Sequence, residues 1–216
     1  MSFAVVLVGI IQERKMLRMN PQMNGRKIFL RAVLVLSPVS LCILFSGCSS
    51  VVNNPPATAA SIDVSRYSGR WYEIARLPMP FQKPDEAAIA EYAIAPNGTL
   101  SVHNRAISPN GSEHDIRGYA TILNSPDNTK LAVRFNTWFG PLIPIPKEGN
   151  YWILYVDEGY QRAMVGTSDR KYLWILGRTI GMSDRNLRDL TGRAGKSGYD
   201  IRRLIRDPKP PHQLIP

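Results

Sequence analysis

From residue 69 onward, apolar and polar positions alternate in short runs, and each run is closed by a turn signal. Such period-two alternation predicts strands with one buried face. The first run is Gly69–Arg76, stopped by Leu77-Pro78. The next stretch, Leu77 to Asp85, carries Pro78, Pro80 and Pro84. Three prolines exclude a strand interior, and the length suits a lid over an opening. Ala88–Ile94 then leads to Pro96-Asn97-Gly98, Leu100–Ile107 to Ser108-Pro109-Asn110-Gly111, and Ile116–Leu123 to Ser125-Pro126-Asp127-Asn128. Leu131–Trp138 leads to Phe139-Gly140-Pro141 and a proline-rich loop as far as Gly149. Tyr151–Val156, Arg162–Thr167 and Tyr172–Arg178 complete a set of eight strands in hairpin order. The period then changes: Ser183 is an N-cap, Asp184 suits a helix start, and Leu187, Leu190 and Ala194 share one helical face. Tyr199–Ile201 reads as a short edge strand.

Alternation also selects the face that points inward. Leu131, Val133 and Phe135 inward leave Arg134 outside; Ile116, Gly118 and Ala120 inward leave Arg117 outside; Val102 inward leaves His103 outside. The run Tyr151–Val156 is apolar on both faces, and Tyr151, Ile153 and Tyr155 are assigned to the interior. Tyr92, Met164 and Tyr172 complete the candidate lining, and Gly118 and Ala120 leave room within it. The resulting interior is apolar and aromatic, with tyrosine hydroxyls. It suits an acyl chain, since each buried CH₂ contributes about 0.8 kcal/mol. A barrel filled by its own side chains is the competing reading. Eight antiparallel strands with this spacing fit an up-and-down barrel or a two-sheet sandwich, and the pattern alone leaves both open.

The front of the chain has a different character. Arg26 and Lys27 precede a mostly apolar stretch, Ile28 to Phe45, and then Ser46-Gly47-Cys48. A basic start, an apolar run and small residues before a cysteine read as an export signal over residues 1–47, with Met23 the better start. Ser46-Gly47 before Cys48 resembles the site at which a lipoprotein is cut and its cysteine lipidated. An uncleaved membrane anchor is the alternative, but Arg31 and Pro38 interrupt the run. Residues 48–62 read as a tether, 63–206 as the folded domain and 207–216 as a flexible tail. Cys42 and Cys48 are the two cysteines, so no disulfide is expected within the domain.

Removing residues 1–47 takes away six basic residues and one acidic residue, and the net charge falls from +10 to +5. No nucleic-acid motif accompanies that charge. The three histidines, His103, His114 and His212, are scattered, and no His/Cys/carboxylate cluster has metal-ligand spacing. No G-x-S-x-G elbow is present. The residues therefore point away from an enzyme and imply no cofactor. Glu73 shares parity with Trp71 and is expected to pair with an arginine.

Gly69-Arg70-Trp71-Tyr72 at the first strand, Asp157-Glu158-Gly159-Tyr160 at a turn and Arg178 at the end of the last strand together resemble the three signatures of the lipocalin family. Order and separation match from about Val64 to Arg206. Trp71–Arg76 and Leu173–Leu176 look most like the bacterial outer-membrane lipocalins, whose relatives include apolipoprotein D. The resemblance implies an all-β fold: an eight-stranded antiparallel up-and-down barrel with one C-terminal α-helix on its wall. It implies that Gly69, Trp71 and Arg178 close one end structurally. It also implies an outer-membrane lipoprotein, anchored through Cys48 and facing the periplasm, that binds, stores or transports fatty acids or lysophospholipids. A carrier of another hydrophobic molecule, such as a pigment or quinone, is the alternative, and a lipid-modifying enzyme is a more distant one. Oligomeric state stays open, a homodimer included.

Overall fold

A computed structural model describes residues 54–138 and 140–208. Cys48 and the export segment lie outside the described residues. A short helix, α1 (Val64–Tyr67), precedes eight strands: β1 (Gly69–Arg76), β2 (Ala87–Ile94), β3 (Leu100–Ile107), β4 (Glu113–Ile122), β5 (Lys130–Phe135), β6 (Tyr151–Val156), β7 (Arg162–Gly166) and β8 (Leu173–Gly177). Helix α2 (Asp184–Lys196) follows, and a two-residue strand, β9 (Ile205–Arg206), ends the order.

Each strand pairs antiparallel with the next, and β1 pairs with both β8 and β2, so the sheet closes on itself. Closure removes exposed edges. It is partial along β1. Gly69 to Tyr72 pair with β2, whereas Ala75 and Arg76 pair with β9 on the edge that β2 has left. The expected edge strand at Tyr199–Ile201 is thus displaced to Ile205–Arg206, because Ile201–Arg203 form a 3₁₀ turn. The chain stays tied to the barrel through Asp207, whose N–H donates to Ile74 O at 3.0 Å.

Two cores result from the alternation. The interior packs Trp71, Tyr92, Leu100, Val102, Ala120, Leu131, Ile153, Val165 and Leu176 together with Ile62 and Tyr67. The outer wall packs Tyr72, Ile74, Ile89 and Ile175 with Leu190, and Trp152, Leu154, Met164 and Leu173 with Ala194. Helix α2 covers that wall with the face expected from Leu187, Leu190 and Ala194; Ser183 caps it by accepting from Asn186 N–H at 3.3 Å. Val52–Pro216 is compact in its own right, and all three core clusters draw only on residues within it.

The strand β6 departs from simple alternation. A bulge between Ile153 and Tyr155 places Leu154 and Tyr155 consecutively on the wall under α2, and Val156 returns to the interior. Tyr155, expected inside, therefore faces the helix, with the Arg193 guanidinium 4.3 Å from its ring centre. Met164, its cross-strand partner, is corrected too, by plain alternation: Ala163 and Val165 of β7 face the interior, so Met164 between them packs on the wall with Leu173 and Ala194. A bulge adds one residue to one strand and reverses facing beyond it.

The barrel interior as candidate ligand site

One end of the barrel is shut. Asp63 caps α1 by accepting from Ser65 N–H and Arg66 N–H, and α1 lies across the floor. Trp71 is fully buried and donates from Nε1 to Tyr67 O at 2.8 Å. The Arg178 guanidinium stacks 3.8 Å from its ring centre. Arg178 also donates from Nη1 to Arg70 O at 2.7 Å, from Nη2 to Arg66 O at 2.7 Å and Ser68 O at 2.9 Å, and from Nε to Tyr160 O at 3.2 Å. A planar fork can serve several carbonyls at once where an ammonium could not. Gly69 has a φ of +94°, and a Cβ there would lie 3.3 Å from Arg178 Nη1, so the motif glycine provides both the turn and the approach of the cation. The Asp157 turn completes the floor: its Oδ1 accepts from Gln161 N–H at 2.7 Å and Arg162 N–H at 2.8 Å.

Above the floor stand three tyrosines. Tyr67 and Tyr151 share a hydrogen bond of 2.8 Å between hydroxyls, and Tyr92 and Tyr151 share one of 3.1 Å. Burial pushes the Tyr92 phenol up to about 12 and holds Tyr67 and Tyr151 well above the ordinary value, so all three are neutral. Beside them lies a cavity of about 10 Å³, room for one water, lined by the three tyrosines, Leu100, Ala120, Leu131 and Val133. No cation lines it.

Tyr92, Val102, Ala120, Val133, Tyr151 and Ile153 thus meet in the lower interior, and Phe135 packs against the same cluster. Ile116 shares the inward register of Ala120 and is half-buried. Tyr172 sits at the open rim, where its ring meets Trp174 at 6.2 Å and Phe81 of the first loop at 5.9 Å between centres. Gly118 does not leave room for a ligand: a Cβ there would lie 2.2 Å from Arg134 O, so the glycine allows β4 and β5 to approach. Sequence reasoning missed Tyr67, which lies before the first strand, and Asn104. Asn104 of β3 stands across from Ile116 of β4 in the sheet register, and its Oδ1 is buried without a partner.

The open end carries charge. Glu73 accepts from Arg76 Nη1 at 3.0 Å, the pairing expected for it, and from Gln82 Nε2 at 2.9 Å. Arg76 is fully buried and also donates to Asp207 Oδ1 and Lys83 O. Burial, and then the neighbouring Glu73 carboxylate, push the Asp207 carboxyl up to about 10. Among the described residues, no group of three His, Cys, Asp or Glu could hold a metal ion.

The model of the lipocalin-like domain matches residues 62–209. The chain belongs to the lipocalin family. Temperature-induced lipocalin-1 of Arabidopsis thaliana is 42% identical over 151 residues, covering 68% of this lipocalin and 80% of the plant protein. Outer membrane lipoprotein Blc of Escherichia coli K12 is 32% identical over 178 residues, covering 82% of this lipocalin and 96% of Blc. Among solved structures, insecticyanin from the tobacco hornworm Manduca sexta superimposes with a TM-score of 0.52 at 21% identity, covering 72% of this lipocalin and 84% of that chain. At that identity the likeness shows the barrel fold.

Proposed function

We propose that this lipocalin is a lipoprotein of the bacterial envelope, anchored through Cys48 to the outer membrane, that binds, stores or transports fatty acids or lysophospholipids. The observation that carries the reading is the inner face of the barrel. Its lower part is apolar, with neutral tyrosines as its polar groups, and Asn104 and the Glu73–Arg76 pair bring polarity nearer the mouth. An acyl chain placed there gains from burial of each CH₂. The charged head stays at the open end, because the lower cavity offers no cation to offset a buried carboxylate. Family membership and the likeness to Blc support an envelope carrier. No reaction is assigned.

The test is mass spectrometry of lipid extracted from the protein purified from membranes. A stoichiometric fatty acid or lysophospholipid is expected, lost in Phe135→Glu. If no lipid co-purifies and added fatty acid leaves the tryptophan fluorescence unchanged, the acyl-carrier reading is wrong. A co-purified pigment or quinone would reassign the cargo.

A further inference from the structure

Charge is spread unevenly over the folded domain. Within residues 184–206, seven basic residues stand against three acidic ones; within residues 83–117, three stand against five. The first segment is α2 with the stretch that returns from it, and the second runs along β2, β3 and the start of β4. In the closed sheet β4 is four strands from β8, so it stands across the barrel from the wall that α2 covers.

The basic side is one continuous face. Arg185, Arg188, Arg193 and Lys196 of α2 are exposed, as are Arg202, Arg203 and Arg206 after it. The return stretch runs back along the helix. At the C-terminal turn, a Cβ on Gly195 would lie 3.3 Å from Ile201 Cδ1; at the N-terminal turn, Arg206 Nη1 donates to Asp184 Oδ1 at 3.0 Å. The three acids of the segment, Asp184, Asp189 and Asp200, are engaged by Arg206, Arg193 and Arg202. Arg185, Arg188 and Lys196 make no ion pair among the described residues. They stand at i, i+3 and i+11, on one side of the helix. Gly192 is exposed between them, and a Cβ there would meet nothing within 4 Å. Helix stability does not ask for these charges. Arg185 lies in the first turn, where the helix dipole opposes a cation, and Arg188 is a like charge three residues on.

The course of the N-terminal segment says what meets this face. Asn54 O accepts from Arg170 Nη2 at 2.8 Å, and Arg170 Nε donates to Ser197 O at 2.6 Å. The chain therefore leaves the described domain beside the C-terminal end of α2. A groove of about 550 Å³ opens there between residues 54–57 and 196–198, with Arg170 and Lys196 as its cations. Six peptide steps separate Asn54 from Cys48. Fully extended, they span roughly 20 Å.

We propose that this face is an electrostatic docking site for anionic phospholipid headgroups: the unpaired cations of α2 and the Arg170–Lys196 groove meet the phosphates of the membrane that holds the anchor, and the acidic β2–β4 wall turns away. The nearness of that membrane rests on the lipidation of Cys48 proposed above; the charge asymmetry is a property of the folded domain. Exposed charges act over a Debye length of about 8 Å at physiological salt, so a short tether is what lets a modest excess of charge orient the domain.

The test uses the compact unit Val52–Pro216, which lacks both anchor and export segment, with phosphatidylcholine vesicles prepared with and without phosphatidylglycerol. Each cation at an anionic surface contributes roughly fivefold to partition, so three should favour the phosphatidylglycerol vesicles by roughly 100-fold at low salt. The preference should vanish in 1 M salt, where the Debye length is about 3 Å. Arg185→Gln, Arg188→Gln and Lys196→Gln should each lower it by roughly fivefold. Arg117→Gln, at an exposed cation on β4, should leave it unchanged. Circular dichroism confirms that each variant is folded, and the salt series on the parent needs no variant. Equal partition into both vesicles overturns the proposal and leaves an acidic protein as the partner that fits the face. An equal loss in Arg117→Gln overturns it too, for then net charge and not this face binds. Lipidation of Cys48 is read separately, from the mass of the full chain, so either claim can fail without the other.

Discussion

The two ends of the barrel are closed by different chemistry. At the floor, one guanidinium covers an indole and satisfies carbonyls from α1, β1 and the Asp157 turn. Its charge meets the carboxyl end of a helical turn and an aromatic face, both favourable to a cation. At the mouth, Arg76 stands between two carboxylates, and one of them keeps its proton. Around it, loops expose apolar side chains instead of burying them. The floor spends its polar groups on fixing one arrangement. The mouth holds a surplus acid and an exposed apolar surface, which suits the end through which something enters.

If the floor is the stability element, breaking it should have the largest effect. Trp71→Ala should cost about 3–5 kcal/mol in denaturant unfolding, the range for emptying a fully buried aromatic site. Arg178→Lys keeps the charge but loses the fork, leaving carbonyls of Arg66, Ser68 and Arg70 competing for one ammonium. A loss of about 2 kcal/mol is expected by the same measurement. A loss under about 0.5 kcal/mol in Arg178→Lys would show that stacking on Trp71, not the carbonyl network, holds the floor.

The mouth should answer to pH where the floor does not. The Asp207 carboxyl is raised to about 10 in the folded protein, from an ordinary value near 4. Below about pH 4 both folded and unfolded chains hold this proton. Above it the unfolded chain releases the proton first, so this group's contribution to stability falls as pH rises toward 10 and is lost beyond it. Asp207→Asn removes the titration but keeps a polar side chain beside Arg76. The stability of the variant relative to the parent should therefore rise steadily between pH 5 and pH 9 in thermal unfolding scans. Parallel curves would mean that Asp207 is already ionised when folded, with Arg76 outweighing both burial and Glu73.

Much of this contrast was legible from residues. Trp71 and Arg178 stand in motifs whose spacing survives any local irregularity, and strand existence followed from turn dipeptides such as Asn97-Gly98 and Asn110-Gly111. The inward faces of β3, β4 and β5 followed from charged outward neighbours such as His103, Arg117 and Arg134. In β6 both faces are apolar, because one meets the interior and the other α2, so no charge marks the parity. The bulge at Leu154–Tyr155 then reverses it, and nothing local in Trp152-Ile153-Leu154-Tyr155 announces an inserted residue. Tyr67 was hidden for another reason: it reaches the interior from a helix before the barrel, where strand alternation has no bearing. The charged mouth depends on Asp207, which meets Arg76 only after the chain has circled the whole barrel.

A pair of tyrosines sharpens the contrast at its smallest scale. Tyr151 hydroxyl bonds to both Tyr67 and Tyr92 in the lower interior, and removal strands two phenols away from water. Tyr151→Phe should cost about 1–2 kcal/mol. Tyr155 lies four residues on, has the same chemistry and faces the wall under Arg193. Tyr155→Phe keeps the ring under the guanidinium and should change stability by less than about 0.5 kcal/mol. The two substitutions remove the same atom, so their difference in urea unfolding measures facing alone. Equal costs would mean that Tyr155 turns inward and that the bulge does not form in solution; the assignment of the lower interior would then have to be redrawn from β6 outward.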